Sequence, residues 1–206
     1  MHSYFLTLLL CGSCFGIFDN NVEWQNESIF RVNKQPAHSV LMPFADRTSA
    51  LTKERMDSSY CQVLNGEWKF NWSGHPDNRP KNFYETLYDD SSWKEINVPS
   101  SVELEGYGTP LYSNEKYPFK KDPPNVMGVP PENYSNFKDR NPVSSYRRKF
   151  TLTEDWSERR TTITFNGVSS AFYLWVNGRR VGYSQDSRTP AEFDITKYVK
   201  TGENLL

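Results

Sequence analysis

Large apolar and aromatic residues alternate along residues 171–176 (AFYLWV). This period of two is typical of a β-strand, because successive side chains point to opposite faces. Asn177-Gly178 follows, the dipeptide that best tolerates positive φ at both central positions of a tight turn, and residues 179–184 resume a strand-like run. The pattern predicts a β-hairpin. Both faces of its first strand carry large side chains, so we expect that strand to lie inside a sheet between two layers.

Shorter alternating runs flank the hairpin. Residues 66–72 carry one aromatic face, and further strands are predicted at 96–99, 146–152, 161–165 and 192–195. Asn166-Gly167 is predicted to close a hairpin between the 146–152 and 161–165 runs, and residues 202–204 a turn. An apolar run begins at Leu205-Leu206 and stops. We therefore expect an all-β fold, a jelly-roll sandwich that is incomplete at its C-terminus and truncated before its last strand or strands.

Three other stretches lack a sustained period. Residues 17–60 are predicted to form an extended N-terminal arm, with a helical turn near 49–55, that lies over a neighbouring domain or subunit. Residues 107–119 and 120–141 are rich in Gly and Pro and are predicted to be loops, the second without secondary structure of its own. A loop of that length is usually either functional or disordered. The domain proper is expected over residues 61–206.

Net charge and aromatic content limit the classes of partner that we expect. The 206 residues carry a formal net charge of -1, so neither a nucleic-acid backbone nor a membrane surface is an expected partner. Aromatic residues make up 15% of the chain, which fits both an aromatic core and surfaces that stack on sugar rings.

The first sixteen residues differ from the rest. An apolar run at 4–11 is followed by small residues, which predicts a signal peptide over residues 1–16 and a periplasmic or secreted protein; the alternative is a cytoplasmic one. The run is too short to span a bilayer as a mature helix, so no membrane span is expected. Removal of this leader would leave Cys61 as the one cysteine. His38 and His75 are isolated in sequence and are interpreted as structural, so no metal site is expected within the chain.

No catalytic motif is present. The chain has no Gly-rich phosphate loop and no nucleophile elbow, and Asp89-Asp90 is interpreted as a helix-capping pair rather than a catalytic one. The more suggestive residue is Asn114, whose amide can both donate to and accept from sugar hydroxyls and which Tyr112 and Tyr117 flank in a surface loop. The other reading is an asparagine that bonds its own backbone.

Several segments resemble the N-terminal sugar-binding domain of glycoside hydrolase family two β-galactosidases. They are residues 64–70 (LNGEWKF), 98–101 (VPSS), 106–119 (GYGTPLYSNEKYPF), 139–148 (DRNPVSSYRR) and 166–195. The resemblance implies a jelly roll of the galactose-binding-domain-like type, whose Tyr-x-Asn loop reaches the active site of a following barrel; Asn114 is the matching position. It also implies that the acid/base and nucleophile glutamates, the magnesium ligands and a sodium-binding aspartate lie beyond residue 206. Magnesium and sodium are thus cofactors of the full-length enzyme, and no catalytic residue lies in this chain.

The resemblance implies the N-terminal portion of a retaining β-galactosidase, which removes terminal β-D-galactose from β-galactosides. The expected partners are the sugar, the C-terminal barrel domains and, through the arm, further copies in a homo-oligomer. Two alternatives remain at this stage: a non-catalytic carbohydrate-binding module, and another family-two glycosidase such as a β-glucuronidase.

Overall fold

A computed structural model describes residues 23–110, 120–122, 125–128 and 141–206, the two short internal pieces by their backbone alone. The strands are β1 (Arg31–Val32), β2 (Gly66–Ser73), β3 (Lys94–Val98), β4 (Lys120–Asp122), β5 (Asn125–Gly128), β6 (Val143–Arg147), β7 (Lys149–Leu152), β8 (Thr162–Phe165), β9 (Ala171–Val176), β10 (Arg179–Gln185), β11 (Ala191–Asp194) and β12 (Gly202–Leu205). The helical pieces are α1 (Arg47–Thr52) and four single 3₁₀ turns, η1 (Glu23–Gln25), η2 (Arg55–Asp57), η3 (Pro76–Asn78) and η4 (Glu154–Trp156).

The predicted hairpin is confirmed. Asn177 and Gly178 have φ of 50° and 78°, so both central turn residues take the positive φ that the sequence indicated. β10 pairs with β9 on one side and with β1 on the other. The interior position is therefore that of β10. β9, which was expected inside the sheet, is one of the two outer strands among these three described strands. Side chains still cover both faces of β9: Leu174 and Val176 are buried on one, and Trp175 packs against an aromatic loop on the other.

A second layer faces this sheet. β8 pairs with β11 in antiparallel register, and the Phe193 ring of β11 meets the Phe172 ring of β9 edge-on at 5.9 Å between centroids. The shared core contains Leu174, Val176, Val181, Ala191, Phe193 and Ile195. The hairpin predicted between the 146–152 and 161–165 runs, closed by Asn166-Gly167, was wrong, because β8 pairs with β11 and β7 pairs with β12.

The aromatic strand β2 lies between β3 and β6. Trp68 and Phe70 point into the domain and are 8% and 1% exposed. β6 and β7 are interrupted only by Arg148, whose backbone exchanges two hydrogen bonds with Leu206. The turn predicted at 202–204 was also wrong: these residues are part of β12, which pairs along β7. The buried Asn204 bonds Lys200 and Gly202 and so closes the turn before this strand.

The arm is partly incorporated into the sandwich. β1 extends the β9–β10 sheet, and Lys34 bridges Phe193 of the facing sheet. The predicted helical turn is present as α1, which the Asp46 carboxylate caps through the Ser49 amide at 2.8 Å. Residues 30–43 and 55–65 run alongside β7, β8 and β11. A groove of about 1120 Å³ lies between these arm segments and the three strands.

The all-β prediction is confirmed, since α1 is a helix of six residues and the described layers form a β-sandwich. The loop predicted over 120–141 contains a short antiparallel pair, β4 with β5, so it does have secondary structure. Within the described ranges, no helix has the length and apolar character needed to cross a membrane.

Candidate functional site

Asn114, the substrate-binding residue predicted from the sequence, lies outside the described residues. The two ends of the segment that carries it are described, and both meet the same end of β2. On the entry side, Gly108 lies over the Trp72 indole, where a Cβ would be 3.5 Å from the ring. On the exit side, Val143 pairs with Ser73. The segment between residues 110 and 141 therefore leaves and re-enters the domain at neighbouring points.

Aromatic packing fixes the entry side of this segment. The Tyr107 ring meets the buried Phe70 ring at 4.7 Å between centroids and 68° between planes, and Tyr146 of β6 lies 5.0 Å from the same ring. Gly106 and Gly108 both have positive φ, 89° and 72°, which side chains disfavour. The chain is thus turned sharply just before the loop, on a base of three packed rings.

A buried arginine organises the neighbouring loop of residues 83–90. Arg147 of β6 is 4% exposed. Its guanidinium bonds the Asp90 carboxylate at 2.6 Å and donates to the backbone carbonyls of Phe83 and Glu85. A guanidinium carries five donors in a fixed fork, so one side chain can satisfy several acceptors of an irregular loop.

Asp89-Asp90 is not the helix-capping pair that we expected. Asp89 accepts a hydrogen bond from the Ser91 amide at 3.0 Å and caps a single turn, which lowers the pKa of its exposed carboxyl. Asp90 instead forms the ion pair with Arg147. Trp93 is 7% exposed and packs inward, as predicted. The two carboxylates therefore have structural partners.

The outer face of the β9–β10 hairpin is an aromatic surface. Tyr84 stacks on Trp175 with ring planes 7° apart and centroids 5.4 Å apart. Tyr173 lies beside Trp175, and the Arg180 guanidinium sits over the Tyr173 ring at 5.0 Å. Each of these side chains is half-buried or exposed. The Tyr84 stack is placed by the loop that Arg147 holds.

Glu23 of η1 completes this face. Its carboxylate forms an ion pair with Arg180 and accepts a hydrogen bond from the Tyr173 hydroxyl at 3.0 Å. Partial burial acts to raise the pKa of Glu23, but the bonds from Arg180 and Tyr173 outweigh it, and the pKa lies below the ordinary 4.5. Burial, together with the same carboxylate, raises the pKa of Tyr173 far above its ordinary range. At neutral pH the cluster is therefore carboxylate, guanidinium and neutral phenol.

His38 and His75 each make a polar contact within the described residues. The His38 ring lies 3.2 Å from a Glu192 carboxylate oxygen and holds the arm on β11, and the His75 ring accepts a hydrogen bond from the Asp77 amide. Across the described residues no three His, Cys, Asp or Glu side chains come together as a metal site.

Comparison with known families identifies the domain. Residues 61–206 match the family described as glycosyl hydrolases family 2, sugar binding domain. The chain belongs to this family. The resemblance seen in the sequence is thereby confirmed over the whole β-sandwich apart from β1.

Several curated relatives carry the name β-galactosidase. The Priestia megaterium protein is 43% identical over 185 residues, which is 89% of this chain and 17% of the relative; the Psychromonas ingrahamii protein is 41% identical over 184 residues, 89% and 16%. The β-galactosidase large subunit of Lactobacillus helveticus is 38% identical over 193 residues, 90% of this chain and 30% of that subunit. The chain thus spans less than a third of the length of these relatives.

Among solved structures, a β-glucuronidase from an uncultured Clostridium species is similar at a TM-score of 0.47 and 20% identity, over 70% of this chain and 20% of that one. At these values the likeness does not bear on function.

Sequence reasoning missed two groups that shape this region. Arg147 follows Tyr146 in an alternating run, and nothing in the sequence indicated that its side chain is buried and bonds the 83–90 loop. Glu23 lies in a polar stretch with no period, 157 residues before Arg180. No sequence signal marked Arg147, because Tyr146 occupies the apolar side of this strand pattern and Arg147 the opposite side.

Proposed function

We propose that this chain is the N-terminal sugar-binding portion of a retaining β-galactosidase and that Asn114 contacts the substrate galactose. The observation that carries the proposal is the 43% identity, over 89% of this chain, to a protein named β-galactosidase. A non-catalytic binding module would not be expected to share so much sequence with one class of enzyme, and the relatives named here are galactosidases.

The role of Asn114 follows from amide chemistry and from the base of its loop. An asparagine amide presents two donors and one acceptor, which suits the hydroxyls of a sugar. The rings of Phe70, Trp72 and Tyr107 fix the point where the loop leaves the sandwich. A fixed base allows a loop to hold a polar group at a defined place, at a lower entropic cost on binding.

The reaction itself would need residues outside this chain. A retaining glycosidase uses one carboxylate as nucleophile and a second as acid/base. In this proposal those carboxylates, and the residues that would hold magnesium and sodium, belong to the following domains. This chain contributes the sugar contact and the support for it.

A domain exchange tests the proposal. The matching N-terminal residues of the Priestia megaterium β-galactosidase would be replaced by residues 22–206 of this chain, and hydrolysis of a chromogenic β-galactoside would be measured. We expect activity from the chimera and none from the isolated chain. A folded chimera without activity, or turnover by the isolated chain, would contradict the proposal.

Asn114→Ala in the chimera examines the sugar contact itself. Loss of a hydrogen bond in a desolvated pocket costs about 1–3 kcal/mol, which lowers kcat/KM by about five- to 150-fold. The melting temperature should stay within the range of a surface substitution. Asn82→Ala, an exposed asparagine on another loop, serves as the matched control and should leave both values unchanged. Unchanged kcat/KM in Asn114→Ala would remove this residue from the site.

Export is part of the same proposal. The predicted signal peptide at residues 1–16 lies outside the described residues. Mass spectrometry of the mature protein, expressed with its own leader, would find a start between residues 12 and 20; an intact Met1 would contradict cleavage.

A further inference from the structure

The N-terminal turn η1 is fastened to the sandwich by a charged cluster at one point. Glu23 accepts from both Arg180 and the Tyr173 hydroxyl, and its side chain is 17% exposed. The Arg180 guanidinium is held a second time, over the Tyr173 ring. Each of the three groups thus contacts the other two.

Such a cluster is stronger than an ordinary surface ion pair. Exposed pairs contribute little, because two flexible side chains must be ordered and water screens their charges. Here the carboxylate is mostly desolvated, and a ring orients the guanidinium. The lowered pKa of Glu23 agrees with a carboxylate that its partners hold in the charged form.

The turn η1 also lies close to β5. β5 pairs with β4 in an antiparallel ladder in which Lys120 is opposite Gly128 and Asp122 opposite Asn125. β4 begins at Lys120, six residues after Asn114 in the chain. Successive contacts therefore connect β10 to Glu23, η1 to β5, and β5 to β4. They lead from the sheet to the strand that follows the proposed substrate loop.

Among the described strands, none of the sandwich pairs with β4 or β5. In the described backbone these two strands bond each other and form a separate two-stranded sheet. An isolated two-stranded sheet is marginally stable in water and needs packing to be held in one place. Contact with η1 supplies such packing.

We infer that Glu23 is a positioning residue: it anchors η1 on the outer face of the β9–β10 hairpin, and η1 in turn holds the β4–β5 pair that follows the substrate loop. The inference rests on the proposed function only for its effect on catalysis. The mechanical part, from Glu23 to β4–β5, stands on the described contacts alone.

Amide hydrogen exchange in the full chain tests the mechanical part. In Glu23→Ala we expect residues 120–128 to exchange at least about fivefold faster, which corresponds to ~1 kcal/mol. Glu23→Gln keeps an acceptor oxygen but loses the charge, and should fall between Ala and wild type. Glu27→Gln removes an exposed carboxylate four residues away and is the matched control. It should exchange as wild type does.

The amides of β9 and β10 provide an internal reference in the same samples. If Glu23 only stabilises the domain as a whole, exchange in residues 171–185 should rise together with that of residues 120–128, and the inference would be overturned. Unchanged exchange at 120–128 in Glu23→Ala would overturn it as well. A selective increase at 120–128 is the supporting result.

Kinetics of the chimera tests the link to substrate. We expect Glu23→Ala to lower kcat/KM for the β-galactoside severalfold with an unchanged melting temperature. Selective loosening of residues 120–128 with unchanged kcat/KM would overturn this link. A chimera that is inactive with Glu23 intact would instead overturn the proposed function, and the exchange data would still decide whether Glu23 positions β4–β5.

Discussion

Gly182→Ala is expected to destabilise the β-sandwich strongly, because both the neighbouring strand and the facing layer lie close to this residue. A Cβ on Gly182 would overlap the Val32 carbonyl oxygen and would lie 2.6 and 2.9 Å from two carbons of the Phe193 ring. The first contact is backbone of β1, which is paired with β10. The second is a fully buried ring in the middle of the core. Neither neighbour can move without breaking a ladder or displacing the core.

The magnitude follows from these contacts. Overpacking a core by one methyl costs about 1–3 kcal/mol when a side chain can adjust, and more when it cannot. Because one of the two obstacles is backbone, we expect about 3 kcal/mol or more. With a urea m-value of about 2 kcal/mol/M, the unfolding midpoint would fall by about 1.5 M.

Gly167→Ala is the matched control for this measurement. A Cβ there would meet one backbone oxygen, that of Ser187, at 3.3 Å, a distance that small shifts can relieve. We expect the free energy of unfolding of Gly167→Ala to differ from wild type by less than about 0.5 kcal/mol, as for an ordinary surface substitution. Equal midpoints for Gly182→Ala and Gly167→Ala would refute the reasoning, since they would show that the layers separate at little cost.

Two further predictions concern charged groups. Arg147→Met should cost about 3 kcal/mol in urea unfolding, because it leaves Asp90 and two backbone carbonyls of the 83–90 loop without their donor; a loss below about 1 kcal/mol would contradict the role of Arg147 in that loop. The Ser39 carbonyl, and after it the Glu192 carboxylate, raise the pKa of the exposed His38 above 6.5. The stabilisation of the arm by protonated His38 is therefore complete below pH 6.5 and is lost as the pH rises through the raised pKa. In an NMR titration, Glu192→Gln should lower the pKa of His38 only part of the way, because the Ser39 contact persists, and an unchanged pKa would refute the pairing.

The elements that sequence reasoning predicted correctly are those in which local preference and burial agree. The β9–β10 hairpin has a turn dipeptide, alternation and β-branched or aromatic side chains in one continuous stretch. β2 shows the same agreement along its aromatic face. In both, each residue contributes to the pattern through its own neighbours in sequence, so no knowledge of distant partners was required.

The errors arose where pairing depends on distant residues. Asn166-Gly167 has the composition of a hairpin turn, but β8 pairs with β11, almost thirty residues later, because that register buries Phe193 in the shared core. Residues 202–204 contain Gly and Asn, which favour turns, yet β7 supplies a ladder that converts them to strand. Sequence pattern alone does not reveal which open ladder is available.

Arg147 connects the two parts of the candidate site that sequence reasoning treated separately. Its backbone is part of β6, and the neighbouring Tyr146 packs on Phe70 at the base of the loop that carries Asn114. Its guanidinium holds the 83–90 loop, from which Tyr84 stacks on Trp175 of the outer face. An apolar residue at this position could pack but could not satisfy three acceptors at once. The geometry of the loop base and that of the aromatic face therefore depend on one buried polar residue, whose side chain lies on the face of β6 opposite to Tyr146 and against the 83–90 loop.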